Sequence, residues 1–196
     1  AVNAASLAHT VEGARRAGVR RVVLISSASV YGDRYSAPVA EDGRLDPRSV
    51  YARSKVRGEE LLLEAAGEVE AVVLRLFNVF GPGFDDSLVT RLLRSTPQHP
   101  VELRAIDGFV RDYIAVEDAA SALLEAIRAS VALPPVINVG SGRPVATREL
   151  LTVLGRHRPL AYVETPGEPS YSCADPTLAM AHLGLRIDHP VADAGH

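Results

Sequence analysis

Runs of branched aliphatic residues alternate along the chain with segments whose apolar positions recur every three or four residues. The first segment of that kind, residues 2 to 17, puts Ala, Leu and Val on one helix face and stops at Gly18, a residue suited to a helix C-cap. "RRVVLISSASVYG" then opens with a continuous apolar run, the mark of a strand buried on both faces, and leaves it through small polar residues. A polar loop with Pro38, Gly43 and Pro47 leads to a helix at about 50 to 66, and "EAVVLRLFNVFGPG" predicts a second buried strand closed by a Gly-Pro-Gly turn. A helix at about 86 to 95, a short strand near "VELRA", a helix at 117 to 129, a strand in "PVINVG" and a helix at 147 to 155 follow. Strands alternating with helices of this length predict an α/β fold, a parallel sheet with helices on its faces.

Composition narrows the class. The 196 residues, 47% hydrophobic and 23% charged, suffice for one domain, or one domain with a smaller lobe. The longest apolar runs fall far short of the roughly 20 residues that cross a bilayer, so no membrane segment is expected. With a net charge of -3 and no basic tract, nothing points to nucleic acid. Cys173, the single cysteine, excludes an internal disulfide and suits a reducing cytoplasm. Histidines 9, 99, 157, 182, 189 and 196 form no metal-like pair on a helix, so no metal is predicted. The chain opens without methionine, Met180 being its only one, and does not read as a natural start; no signal-peptide pattern follows.

In open parallel sheets, ligands bind beyond the carboxyl ends of the strands. That rule selects Ser26, Ser27, Ala28 and Ser29 after the first strand and residues 78 to 83 after the second. The helix that follows the first strand adds Tyr51 and Lys55, an i, i+4 pair on one face. A phenol ordinarily keeps its proton to about pH 10, and a neighbouring ammonium favours the phenolate. A Tyr-x-x-x-Lys pair alone is weak evidence, since surface pairs of this kind are common. The surrounding order gives it weight.

"LISSASVYGD", "YARSK", "LRLFNVFGPG", "VRDYIAVEDAA" and "INVGSG", in that order, resemble the extended short-chain dehydrogenase/reductase superfamily, in its NAD-dependent epimerase/dehydratase branch acting on nucleotide sugars. The resemblance runs from Asn3 to about Leu185. It implies Tyr51 as catalytic base and acid, Lys55 as ligand of the nicotinamide ribose and activator of the phenol, and Ser27 as hydrogen-bond partner of the reacting sugar hydroxyl. Asn3 takes the position of a family asparagine near the cofactor, and Ser26 joins the cofactor set, although by residue type Ser26, like Ser29, reads first as a turn hydrogen-bonder. Asn78 and Arg111 would grip the nucleotide diphosphate. Arg75, Asp112 and Asp118 are expected to serve strand-end pairing and helix capping, Tyr31 and Tyr113 packing, and Cys173 a buried wall. The "GSG" at 140 to 142 lacks the spacing of a dinucleotide fingerprint and reads as a loop.

The family's glycine-rich phosphate loop and its ribose-reading acidic residue are nowhere in this sequence. They belong to an N-terminal half of about three β-α units, so about 90 residues are expected upstream of Ala1, and the 196 residues alone are expected to bind NAD or NADP poorly. Where many UDP-sugar members have an arginine, "TPGE" has Thr165, one phosphate contact fewer; Glu168 keeps the acidic position of the substrate set. Family 4,6-dehydratases resemble "TDEVYG" where this chain has "SASVYG", and decarboxylating members carry a glutamate where Ser29 sits. Neither Ala28 nor Ser29 moves a proton at neutral pH, which leaves an epimerase that oxidises a sugar C4 hydroxyl transiently, a ketoreductase of a nucleotide-linked keto sugar or small carbonyl, or a non-catalytic fragment. The expected architecture is a Rossmann-like sheet domain, N-terminally incomplete, over 1–80 and 109–130, with a smaller substrate-binding lobe over 81–108 and 131–196. By resemblance the protein would be a homodimer, with the helix at 50 to 66 in the interface.

Overall fold

A computed structural model describes residues 2–187 and 191, with side chains from residue 7 onward. The parallel sheet predicted from the apolar runs is formed by β1 (Arg21–Ser27), β2 (Glu70–Leu76) and β7 (Val136–Val139), in the order β1-β2-β7. Alternation along the strands divides its two faces. Leu24, Val73 and Val136 pack towards α1 (Val2–Arg16) and α2 (Val50–Ala65), around Val11 and Leu62. Val72, Leu74, Ile137 and Val139 pack towards α4 (Val116–Arg128) and α6 (Thr177–Leu183), around Ala119, Ala122 and Ala126. Helices on both faces explain why the strands read as unbroken apolar runs.

Beyond the sheet the structure departs from the single long strand expected over "EAVVLRLFNVF". The chain breaks at Phe77, and β3 (Asn78–Phe80) pairs with β6 (Tyr113–Ala115) instead of β7. A second body of short elements follows. β4 (Val101–Arg104) pairs with β9 (Tyr162–Thr165), while β5 (Phe109–Arg111) lies between β10 (Ser170–Ser172) and β8 (Val145–Ala146). α3 (Leu88–Leu93) and α5 (Thr147–Gly155) close over them, and Val89, Leu92, Leu103, Leu150 and Leu154 form their own buried cluster. A fourth, small cluster, Ala28, Val30, Tyr31, Val39, Phe77 and Ala174, lies where the two bodies meet. Among the described residues no helix is long and apolar enough to cross a membrane, and no His, Cys, Asp or Glu cluster is arranged for a metal ion.

Candidate active site

β1 ends at Ser27, and the chain at once turns through a single 3-10 turn, Ala28–Tyr31. Ser27 caps it: its Oγ accepts from the N–H of Ser29 at 3.2 Å, which leaves the hydroxyl proton to donate elsewhere. Gly32 ends the turn at φ 74°, a conformation open to glycine, and a Cβ there would stand 2.9 Å from the carbonyl oxygen of Asp46. The turn therefore closes against the loop that leads into α2.

α2 begins at a serine N-cap, Ser49, whose Oγ accepts from Ala52 N at 3.0 Å. Tyr51 is its second residue and is 56% exposed. The i, i+4 expectation is met: Lys55 Nζ lies 5.5 Å from the centre of the Tyr51 ring. The same ammonium donates to the carbonyl oxygen of Ile25 at 2.9 Å, which ties α2 to β1 two residues before Ser27.

Tyr51, Ser27, Asn78 and Arg111 line one cleft of about 550 Å³, with Ser26, Ser29, Asp33, Arg48, Phe84 and Ser172 also on its walls. Asn78 Nδ2 donates to the carbonyl oxygen of Asp112 at 2.7 Å, so its orientation is fixed. Arg111 stacks on Phe109 at 3.7 Å and donates to Ser170 Oγ at 2.6 Å, while Ser170 in turn donates to Asp33. Burial lowers the Arg111 guanidinium below its ordinary value, against the pull of Tyr113 and Asp33. Among the described residues Asp33 is the single carboxylate on the cleft wall.

Other sequence expectations resolve differently. The Ser26 hydroxyl is no turn bonder; it faces inward, donating to the buried carboxylate of Glu59. Glu168 is exposed and is absent from the cleft wall, and Asn3 lies outside the described residues where its side chain is concerned. Asp118 sits in the first turn of α4, whose N-cap is Ala115 without a side-chain bond. Asp112 is fully buried and holds the 140–142 loop, accepting from Ser141 N, Gly142 N and Ala174 N at 2.8, 2.9 and 3.1 Å. Burial pushes its carboxyl upward while those donors pull it back. Tyr31 and Tyr113 are buried, and burial beside Asp112 pushes the Cys173 thiol up to about 12, so it is no nucleophile at neutral pH. Arg48 and Phe84 carried no motif signal in the sequence, and Asp33, which closes "LISSASVYGD", was given no role there; loop folding brings all three to the cleft.

The sequence profile of the NAD-dependent epimerase/dehydratase family matches residues 1–140. The chain belongs to that family. Within it, the UDP-glucose 4-epimerase of Azospirillum brasilense is 32% identical over 207 residues, covering 91% of this chain. The dTDP-glucose 4,6-dehydratase of Streptomyces griseus is 30% identical over 148 residues, covering 74%. Among solved structures, MoeE5 in complex with UDP-glucose and NAD superposes with a TM-score of 0.82 at 29% identity, over 98% of this chain and 68% of its own. The NAD-dependent NDP-hexosamine 5,6-dehydratase TunA gives a TM-score of 0.81 at 28% identity, over 98% and 66%. The chain spans 59% of the Azospirillum epimerase and 45% of the Streptomyces dehydratase. Membership of this epimerase/dehydratase family makes the sheet Rossmann-like, as the motif order implied.

Proposed function

We propose that the whole protein is a nucleotide-sugar 4-epimerase in which Tyr51 Oη moves the proton and NAD serves as hydride carrier. One observation carries this reading over dehydration: among the described residues the cleft wall holds Tyr51 and a single carboxylate, Asp33, already engaged by Ser170, while the positions after Ser27 are Ala28 and Ser29. Elimination of water needs an acid and a base beside the hydride site. Epimerisation at C4 needs one group that takes a hydroxyl proton and gives it back.

The residues present suit the nicotinamide ribose. Lys55 is not on the cleft wall itself, but its Nζ, beside the Tyr51 ring, carries three N–H groups and spends one on Ile25 O, so two would remain for a diol. NAD held there would supply the acceptor, and then the donor, of the C4 hydride. Ser27 donates its hydroxyl proton to the reacting sugar oxygen, and Tyr51 Oη removes the C4 hydroxyl proton, then restores it after the keto sugar has turned. The Lys55 ammonium stands 5.5 Å from the centre of the ring that makes that exchange. Arg111 and Asn78 hold the diphosphate, the first through guanidinium donors beyond those Ser170 uses. UDP-glucose is the first substrate to try, because it is bound in the MoeE5 structure and named in the Azospirillum relative.

The test is interconversion of UDP-glucose and UDP-galactose by the whole protein, followed by NMR. Tyr51→Phe lowers kcat by about 10²- to 10⁴-fold and leaves UDP-sugar affinity within about twofold. Full turnover by that variant removes Tyr51 from the role. Stoichiometric consumption of NADH, with one reduced sugar formed per equivalent, overturns the epimerase in favour of a ketoreductase.

A further inference from the structure

On the α2 face of the sheet each strand is apolar until its last layer. Below that layer stand Leu24, Val73 and Val136. At it stand Ser26, Arg75 and Asn138, which are direct lateral neighbours in the register: Ser26 pairs with Arg75 and Arg75 with Asn138. A polar row thus crosses three parallel strands just beneath the cleft. Ser26 is 2%, Arg75 5% and Asn138 0% exposed.

Glu59 of α2, 4% exposed, descends onto this row. It receives the Ser26 hydroxyl and a forked Arg75 guanidinium, with Nη2 at 2.7 Å and Nε at 3.2 Å. Arg75 Nη1 donates to Tyr31 Oη at 2.6 Å and to the carbonyl oxygen of Glu41 at 3.0 Å, and Tyr31 Oη donates to Asn138 Oδ1 at 2.8 Å. The polar side chains of the row are satisfied. Such a pair is still a poor source of stability, since matched apolar side chains commonly do as well or better in a buried site. Its address is more telling than its energy. Glu59 lies one helical turn past Lys55, and Ser26 immediately precedes Ser27.

We propose that the Glu59–Arg75 pair, anchored by Ser26, is a positioning device that fixes the height and rotation of α2 over β1 and so sets Tyr51 and Lys55 opposite Ser27. The inference rests on the reading of that cleft as the catalytic one. Glu59 and Arg75 touch no reacting group; they act through the helix and strand that carry those groups. An error of about 1 Å in such a placement can cost about 10²-fold in rate.

The decisive variant is the apolar double replacement Glu59→Leu/Arg75→Met in the whole protein. It is expected to melt within about 3 °C of the parent or above it, with kcat reduced about 10- to 100-fold and KM for the nucleotide sugar within about twofold. Recovery of kcat together with stability would reduce the pair to a structural role and overturn the proposal. Should the double variant not fold, Ser26→Ala removes only the hydroxyl link between β1 and α2. A fall in kcat at unchanged melting temperature and KM supports positioning, and an unchanged kcat sinks it. If the parent turns over no nucleotide sugar, the functional reading fails by itself, and positioning is read without activity from protein labelled with ¹³C at tyrosine Cζ. The Tyr51 resonance, assigned with Tyr51→Phe, is expected to shift in the double variant; an unmoved Tyr51 signal overturns the proposal.

Discussion

A methyl group at position 140 would sit 2.6 Å from Asp112 Oδ2 and 2.8 Å from the Cβ of Ala174. No glycine-specific backbone angle is involved there; the space itself is taken. Gly140→Ala is therefore expected to destabilise the fold by about 1–3 kcal/mol through overpacking, checked by denaturant unfolding, with Gly155→Ala as a control because nothing lies within 4 Å of its added Cβ. This clash was invisible in "INVGSG", which showed a loop but not its buried anchor. Tyr51 and Lys55 were legible at the same scale because a helix converts a spacing of four into adjacency whatever surrounds it. Arg75 and Asp112 read as structural from the resemblance, and their burial agrees, but nothing in the chain's local pattern linked Arg75 to Glu59, 16 residues earlier.

At the scale of elements, α2 is the one whose first turn matters to the chemistry proposed above. That turn presents Tyr51 and is capped by the side chain of Ser49. Ser49→Ala is expected to cost about 1 kcal/mol of stability and to lower kcat severalfold by fraying the turn, measured by melting and by turnover in parallel; a kcat equal to the parent's would mean that the turn holds without its cap. Long elements were predictable from periodicity: the helices expected at about 50 to 66, 117 to 129 and 147 to 155 are observed as Val50–Ala65, Val116–Arg128 and Thr147–Gly155. The short strands β5, β6, β8, β9 and β10 were not, since two to four residues carry no period and their partners are distant. Ser172, for instance, pairs with Arg111 across sixty residues of intervening chain.

For the molecule as a whole, the end of the sheet opposite the cleft, where the strands begin, is held by Glu70. It accepts from Arg21 Nη2 at 2.8 Å and from the N–H of Leu133 at 2.7 Å, with Arg20 at 3.8 Å, joining the starts of β1 and β2 to the segment before β7. Burial would raise its carboxyl, yet the Leu133 N–H and the two arginines outweigh burial and hold it below the ordinary glutamate value. A lowered carboxylate contributes stability above its unfolded value, about 4.3, and loses it as pH falls through the folded one. Glu70→Gln is accordingly expected to cost about 1–3 kcal/mol at pH 7, with the gap to the parent closing in melts carried out progressively below pH 4. A gap independent of pH would assign the loss to packing.

Where the main sheet hands the chain to its neighbour, the passage is one residue long: Phe77, 1% exposed, with its N–H on the carbonyl oxygen of Val139. A joint that short, sealed on every side, has no slack for swivelling, since rotation would strip the ring of its packing. At the brim of the cleft, by contrast, half-exposed Phe84 follows Gly81 and Gly83, both at positive φ. On the epimerase reading proposed above, a sugar that turns over between two hydride transfers would do so above that sealed joint and beside the glycine-flanked Phe84.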